Sequence, residues 1–366
     1  MPPKKKQKTG KPPPTQPPLP SHDLPVLPLS KWGRKESPQN ANAGFCRLPD
    51  ELISEVLSYY PEVGPLTSAV DGTARYQARE PILPVSYLVR PDTLRALSQT
   101  CVAYRRLFLP ILWERLEVCV EARGKEQFFR HAGESLTRKC NGLLENPDLL
   151  DMVRYVNVIL TRYKSDMVLP TFTKCLKAMP NVHTIHVLHA HTQMTSHIKA
   201  GFEGVSLPTI RTLIIPGYCH ELLKTCPEVR SVQCIRDDGS KLITVIKRDC
   251  PKVEEVRGFG LDASLTKRLV KAAPNLRTVE VYYNRDSSDI DGMITELKKL
   301  KHLTTIDIFY HSSIDNFDAS KSKIVQQLKP VLSQSPSKEK KYLRLCQREC
   351  LREGGHVKYR NVELED

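Results

Sequence analysis

Between residues 150 and 310 one short pattern returns seven times, and nothing else in the sequence restricts the fold so tightly. An aliphatic residue is followed by two variable positions, a second aliphatic, one variable position and a third aliphatic, as in Val182-His183-Thr184-Ile185-His186-Val187. The copies occupy 152–158, 180–187, 208–215, 227–234, 251–258, 274–281 and 301–308, and proline leads most of them. Counted from 151, 180, 208, 227, 251, 274 and 301, successive starts lie 29, 28, 19, 24, 23 and 27 residues apart. Alternation of this kind is strand-like, with the first, fourth and sixth positions turned to one face. Helical spacing precedes several copies, at 222–226, 265–271 and 294–300. A strand plus a helix repeated every 20–30 residues predicts an α/β chain in which each unit buries its apolar side against the next. The expected form is a parallel sheet with helices outside, bent into an arc. A doubly wound α/β sheet is the competing architecture, and the fixed period argues against it.

Two runs ahead of the repeats have helical spacing. Leu48-Pro49-Asp50-Glu51-Leu52-Ile53-Ser54-Glu55-Val56-Leu57 places proline where a helix start tolerates it and acids in the first turn, where they suit the dipole. Leu94, Leu97, Cys101, Tyr104 and Leu107 then recur as one helix, with Asp92 as a possible cap and Pro110 as its breaker. Ile111, Leu112 and Trp113 follow as an apolar cluster.

The order Leu48-Pro49-x-Glu51-Leu52, Val56-Leu57, Leu97-Ser98-x-Thr100-Cys101, Leu112-Trp113 resembles an F-box. The resemblance covers roughly 70 residues. It departs from the family where 61–91, with five prolines, separates the two runs. The resemblance implies a small helical unit that binds the Skp-type adaptor of a cullin ubiquitin ligase. Leu48, Pro49, Leu52, Ile53, Leu57, Leu97 and Trp113 would be the contact residues by matching position. The repeats in turn resemble the degenerate leucine-rich repeats that often follow F-boxes, although the usual asparagine after each strand is missing. The implied organisation is a tail over 1–45, an F-box over 46–120 with its insertion at 61–91, and a leucine-rich-repeat-like solenoid with a C-terminal cap over 121–366.

In that register two columns project from the concave face. Asn157, His186, Ile214, Gln233, Arg257, Glu280 and Asp307 form one. The next is wholly apolar or aromatic: Ile159, Leu188, Pro216, Ile235, Phe259, Tyr282 and Phe309. Within it Leu188, Ile235, Phe259, Tyr282 and Phe309 are the candidate contacts for a protein target, since contiguous apolar surface marks contact sites. A loop or the C-terminal segment covering the column is the alternative. Past 311, residues 324–332 predict a helix, 342–351 a second helix, and 356–364 a closing strand.

Composition narrows the function classes. The net charge is +14, but residues 1–47 hold nine basic side chains against Asp23 and Glu36, half of the total. A basic tail is indicated more than a nucleic-acid-binding body. That tail carries eleven of the 28 prolines and few apolar residues, so it is expected to be disordered. Its Lys4, Lys5, Lys6 and Lys8 resemble a nuclear localisation signal, predicting a nuclear or cytoplasmic location. No apolar stretch has spanning length and no secretory h-region is present. The 11 cysteines form no CxxC pair, so free thiols are expected. No phosphate-binding glycine loop, nucleophile elbow or His-Glu-x-x-His occurs. His183, His186, His189, His191 and His197 tempt as a metal cluster, but strand geometry sends His183 and His186 to opposite faces. The expectation is therefore no catalytic residue, no metal and no cofactor. It is a substrate receptor that brings an unidentified protein target to a Skp adaptor and a cullin scaffold. The alternative is a nuclear or chromatin-associated scaffold that assembles no ligase.

Overall fold

A computed structural model describes residues 48–64, 83, 85–120, 127–282, 290–310, 314, 318–319, 322–348 and 357–364. The basic tail, with Lys4, Lys5, Lys6 and Lys8, and most of the 61–91 insertion lie outside these residues.

The described residues open with three helices, α1 (Asp50–Ser58), α2 (Val89–Thr100) and α3 (Val102–Trp113). Strands and helices then alternate: β1 (Arg115–Val118), α4 (Phe128–Leu144), α5 (Pro147–Leu150), β2 (Tyr155–Leu160), α6 (Ser165–Ala178), β3 (Thr184–Ala190) and α7 (Thr195–Gly201). Next come β4 (Thr212–Ile215), α8 (His220–Leu223), β5 (Ser231–Cys234), α9 (Ser240–Asp249), β6 (Glu255–Arg257), α10 (Ala263–Ala272), β7 (Thr278–Tyr282) and α11 (Ile290–Leu297). The last elements are β8 (Thr305–Phe309), α12 (Lys323–Ser333), β9 (Tyr342–Arg348) and β10 (Val357–Val362).

The ten strands among the described residues form one mixed sheet whose spatial order is the chain order, β1 to β10. Each pair from β1 to β9 is parallel, and only β9 and β10 pair antiparallel. A doubly wound sheet reverses its strand order at a switch point; this one never reverses. All seven repeat copies become strands, β2 to β8. Their first, fourth and sixth positions are sealed inside: Val153, Val156 and Val158, then Val182, Ile185 and Val187, then Ile210, Leu213 and Ile215 are each 0% exposed. Burial of apolar rungs against the flanking helices is the main stabilising term. Backbone bonds continue the ladder below each strand, from Arg154 N to Glu114 O, Arg211 N to His183 O, Arg230 N to Arg211 O and Arg277 N to Glu254 O.

Three expectations fail locally. Where a helix is expected over 342–351, the described residues Tyr342–Arg348 form β9 instead. Leu343 and Leu345 alternate into the core while Arg344 turns the other way, so pairing with β8 wins over helical spacing. The helix expected through Leu94 to Leu107 is two helices. Cys101 is extended at φ −154°, and its Sγ accepts the Tyr104 amide at 3.5 Å to cap the second. Pro110, expected to break the helix, lies inside α3. Its missing N–H costs the helix one backbone bond, while Phe108 and Leu109 beside it are buried in two different apolar clusters.

Candidate functional site

Helix α1 has two apolar faces. Ile53, at 3% exposure, and Leu57, at 9%, close a small core with Leu94 of α2 and Phe108 of α3. On the other side Leu52, Val56 and Tyr59 follow one another at i, i+4 and i+7 and are 50%, 45% and 79% exposed. A helix of nine residues that buries one stripe and bares another is poised for a second contact. Of the seven residues proposed to meet an adaptor, Pro49 and Leu52 are exposed, Leu48, Leu97 and Trp113 are half-buried, and Ile53 and Leu57 are internal. Val56 and Tyr59 were not among them. The i, i+4, i+7 spacing from Leu52 is the signal that could have found them.

The two faces of the sheet differ from what a projecting concave surface requires. The polar column is in register as expected: Asn157 pairs with His186, His186 with Ile214, Ile214 with Gln233 and Gln233 with Arg257, while Glu280 pairs with Asp307 and Asp307 with Arg344. Yet the column is buried throughout from Asn157 to Asp307. Its charged end is a compact network. Asp307 is bonded by Arg257 and takes Arg344 Nε at 2.7 Å and Nη2 at 3.1 Å. Arg257 also pairs with Glu255. Burial pulls the Arg257 pKa down, but Asp307 and Glu255 outweigh it, so the guanidinium is held above its ordinary value. Farther along, His186 lies fully buried with neither ring nitrogen bonded, and burial lowers its pKa to about 3. The His189 pKa is lowered to about 4, first by burial and then by Arg236 and His191. Both imidazoles are neutral at pH 7.

The apolar column does not stand in line. A β-bulge after Val158 pairs Ile159 with His189 and leaves Leu188 out of the ladder. Ile159 and Leu188 are both fully buried, in a cluster with Val63, Leu83 and Tyr87. The described ends of the 61–91 insertion therefore lie on the start of the sheet, and Val63 O accepts Asn157 Nδ2 at 3.5 Å. Phe259 is also fully buried. Gly258 turns the chain at φ +72° directly after β6, which swings Phe259 inward against Gly239, itself at φ +80°. Ile235 and Tyr282 are half-buried, and Phe309, 7% exposed, packs edge-on to Tyr282 at 5.0 Å. Of the five candidate target contacts, Ile235 and Tyr282 alone keep substantial surface.

A cavity of about 480 Å³ separates the helical unit from the sheet, bounded by α2, α3, β1 and α4. Trp113 lines it and packs on the sheet core. Lys139 of α4 reaches the Glu117 carbonyl, Nζ to O 2.7 Å, and so satisfies a backbone acceptor on the edge strand β1. Burial lowers the Lys139 pKa and raises that of Glu117.

None of the nine cysteines among the described residues is in a disulfide, and all but Cys101 are buried. Burial pushes Cys226, Cys234 and Cys250 up to about 12, which keeps them protonated and unreactive. Among the described residues no group of His, Cys, Asp and Glu stands where it could hold a metal ion, and no helix is long and apolar enough to cross a membrane. No protein-family model matches the chain, and no curated protein matches it.

Proposed function

We propose that this protein is the substrate-recognition subunit of a Skp–cullin–F-box ubiquitin ligase, without catalytic residues of its own. The observation that carries the reading is the bare apolar stripe of Leu52, Val56 and Tyr59 on the segment that resembles an F-box. A three-helix unit with one stripe uncovered gains stability by docking that stripe into a partner groove. The sequential parallel sheet supports a leucine-rich-repeat-like solenoid as the part that holds the target. With Leu188 and Phe259 internal, the target surface is reassigned to Ile235 and Tyr282 and the strand ends around them. The ligase acts through proximity, raising the local concentration of target lysines near a conjugating enzyme.

Co-expression with a Skp-type adaptor tests this. Wild-type protein co-purifies with the adaptor, and Leu52→Asp combined with Val56→Asp abolishes the complex while leaving the circular dichroism spectrum unchanged. A wild-type chain that folds but never captures an adaptor overturns the reading and leaves the nuclear scaffold in its place.

A further inference from the structure

The outer faces of the helices from α6 to α10 carry cations that neither the fold nor adaptor docking uses. On α10 the exposed side chains are Ser264, Lys267, Arg268 and Lys271, with no acid among them. On α9 they are Lys241, Thr244, Lys247 and Arg248. Lys199 of α7 and Lys174 and Lys177 of α6 are exposed as well. Most acids on these helices and in the turns beside them are engaged elsewhere. Glu221 pairs with Lys224 at 2.9 Å, and Asp249 with Arg248 at 2.7 Å. Asp237 accepts the Asp238 amide at 2.7 Å, Asp238 the Ser240 amide at 2.9 Å and Asp262 the Leu265 amide at 2.6 Å. Asp166 and Glu203 are exposed and pair with no lysine among the described residues. The seven lysines of this row have no ion-pair or hydrogen-bond partner among the described residues.

The row is continuous across the repeats. Thr173 Oγ1 donates to Gly201 O at 2.9 Å, which seats α6 on α7, and α8 touches both α7 and α9. Arg268 donates to Ser240 Oγ at 2.9 Å and to Thr244 Oγ1 at 3.2 Å, which seats α10 on α9. Helix capping accounts for part of the row only. Lys177, Lys199, Lys247 and Lys271 lie in or near last turns, where the dipole favours a cation. Lys241 is the second residue of α9, where a cation opposes the dipole, and Lys174 and Lys267 are mid-helix. At α11 the pattern stops, because Lys299 pairs with Glu296 at 2.6 Å. Large apolar side chains are exposed nowhere on α7 to α10 among the described residues, and on α6 only at Met167 in its first turn. Single-strand binding uses aromatic platforms, and a membrane-surface helix inserts an apolar face. A row of lysines without either suits the phosphates of a duplex. Packed helices stand about 8–10 Å apart, so five of them span about one duplex turn of 34–36 Å.

We propose that the outer faces of α6 to α10 bind duplex nucleic acid through its phosphates, without reading its sequence. The surface stands independently of adaptor binding, because the exposed stripe of Leu52, Val56 and Tyr59 lies on α1 and takes no part in it.

Fluorescence anisotropy of the full-length protein with a labelled duplex of about 20 base pairs, between about 50 and 200 mM salt, tests the proposal. Wild-type protein is expected to bind duplexes of unrelated sequence alike, with an affinity that falls steeply as salt rises. Lys241→Gln, Lys247→Gln, Lys267→Gln and Lys271→Gln together are expected to make the slope of log K against log salt shallower by about 3–4, and to weaken binding more than about tenfold at 100 mM salt. Lys241→Gln with Lys267→Gln is expected to make it shallower by about 2, which keeps the test open if the fourfold variant does not fold. Gln at Lys4, Lys5, Lys6 and Lys8 measures the share of the basic tail, which is present in every other variant. Failure of the wild type to bind at 50 mM salt, or a slope unchanged in both helix variants, overturns the proposal. So does tighter binding of a single strand of the same length. Binding to vesicles of phosphatidylserine and phosphatidylcholine in equal parts, with none to the duplex, also overturns it.

Discussion

The helical unit and the sheet treat their apolar residues in opposite ways. In the sheet both faces are closed: aliphatic rungs fill the helix side, and the polar column opposite is buried as well. In the helical unit α1 closes one face and leaves the other bare. The difference separates residues that hold this chain together from residues that do not. A charged residue inside the sheet is held by neighbours in the same chain, whereas Leu52, Val56 and Tyr59 stay 50%, 45% and 79% exposed, with Tyr59 Oη donating only to Glu55 on its own helix among the described residues. Substitutions should therefore cost stability in the first region and leave it untouched in the second.

The largest effect is expected at Asp307. Its carboxylate sits between Arg257 and Arg344, fully buried. Asp307→Ala takes the carboxylate from Arg344 and leaves Arg257 with Glu255 alone, a loss of about 3–5 kcal/mol by the usual cost of breaking a buried pair. Urea denaturation measures it, and a loss below about 1 kcal/mol would mean the column behaves like exposed surface. Gly258→Ala comes next. A Cβ there would stand 1.9 Å from the Cys234 carbonyl oxygen at a φ of +72°. Backbone must move, and about 3 kcal/mol is expected from strain and displaced packing. The same denaturation experiment reads it, and a melting temperature equal to wild type would show that the strand end yields freely.

A milder effect distinguishes the sealed column by pH. The His186 pKa falls from 6.5 to about 3 in the folded chain because burial disfavours its charged form. The unfolded chain binds that proton first, so stability present at neutral pH is lost as pH falls below 6.5 toward 3. The slope from this one group is about 1.4 kcal/mol per pH unit. His186→Leu removes the titration, and the difference between its pH profile and that of wild type between pH 6 and pH 4.5 should follow that slope. Parallel profiles would place His186 in contact with solvent.

How far these features could be read from sequence depends on whether they are periodic. The seven repeat strands and their inward positions were legible because Val153, Val156, Val158 and their counterparts recur with the strand alternation and with the repeat. The polar column was legible for the same reason. Its burial was not, because what lies over a face is decided by residues far away in the chain, such as Val63 on Asn157. The bulge beside Leu188 and the left-handed turn at Gly258 were hidden too, since each is a one-residue event that moves a side chain off its column. Residues 342–351 misled because Tyr342, Leu343, Leu345 and Cys346 satisfy helical and strand spacing together, and only the free edge of β8 decides between them. At α1 the residues Leu52, Ile53, Val56 and Leu57 read as a single stripe, and only contact with Leu94 and Phe108 divides them into two faces.

That division makes the smallest predicted effect the most telling. Leu52 and Ile53 are neighbours in sequence and similar in size, so helix propensity and local chain entropy cannot tell them apart by much. Their surroundings do: Ile53 is 3% exposed and touches the cluster with Leu57, Leu94 and Phe108, while Leu52 is 50% exposed. Ile53→Ala removes buried methyl groups and opens a cavity, at about 2–4 kcal/mol. Leu52→Ala should change stability by less than about 0.5 kcal/mol, as surface substitutions do, and Val56→Ala likewise. Thermal melts of the isolated chain, with no adaptor present, compare the three. A cost at Leu52 near that of Ile53 would mean that another part of this chain covers the stripe, and the stripe would then be internal packing instead of a face open to a partner. A near-zero cost at Leu52 and Val56 beside a large one at Ile53 leaves an apolar face with no role in holding this chain together.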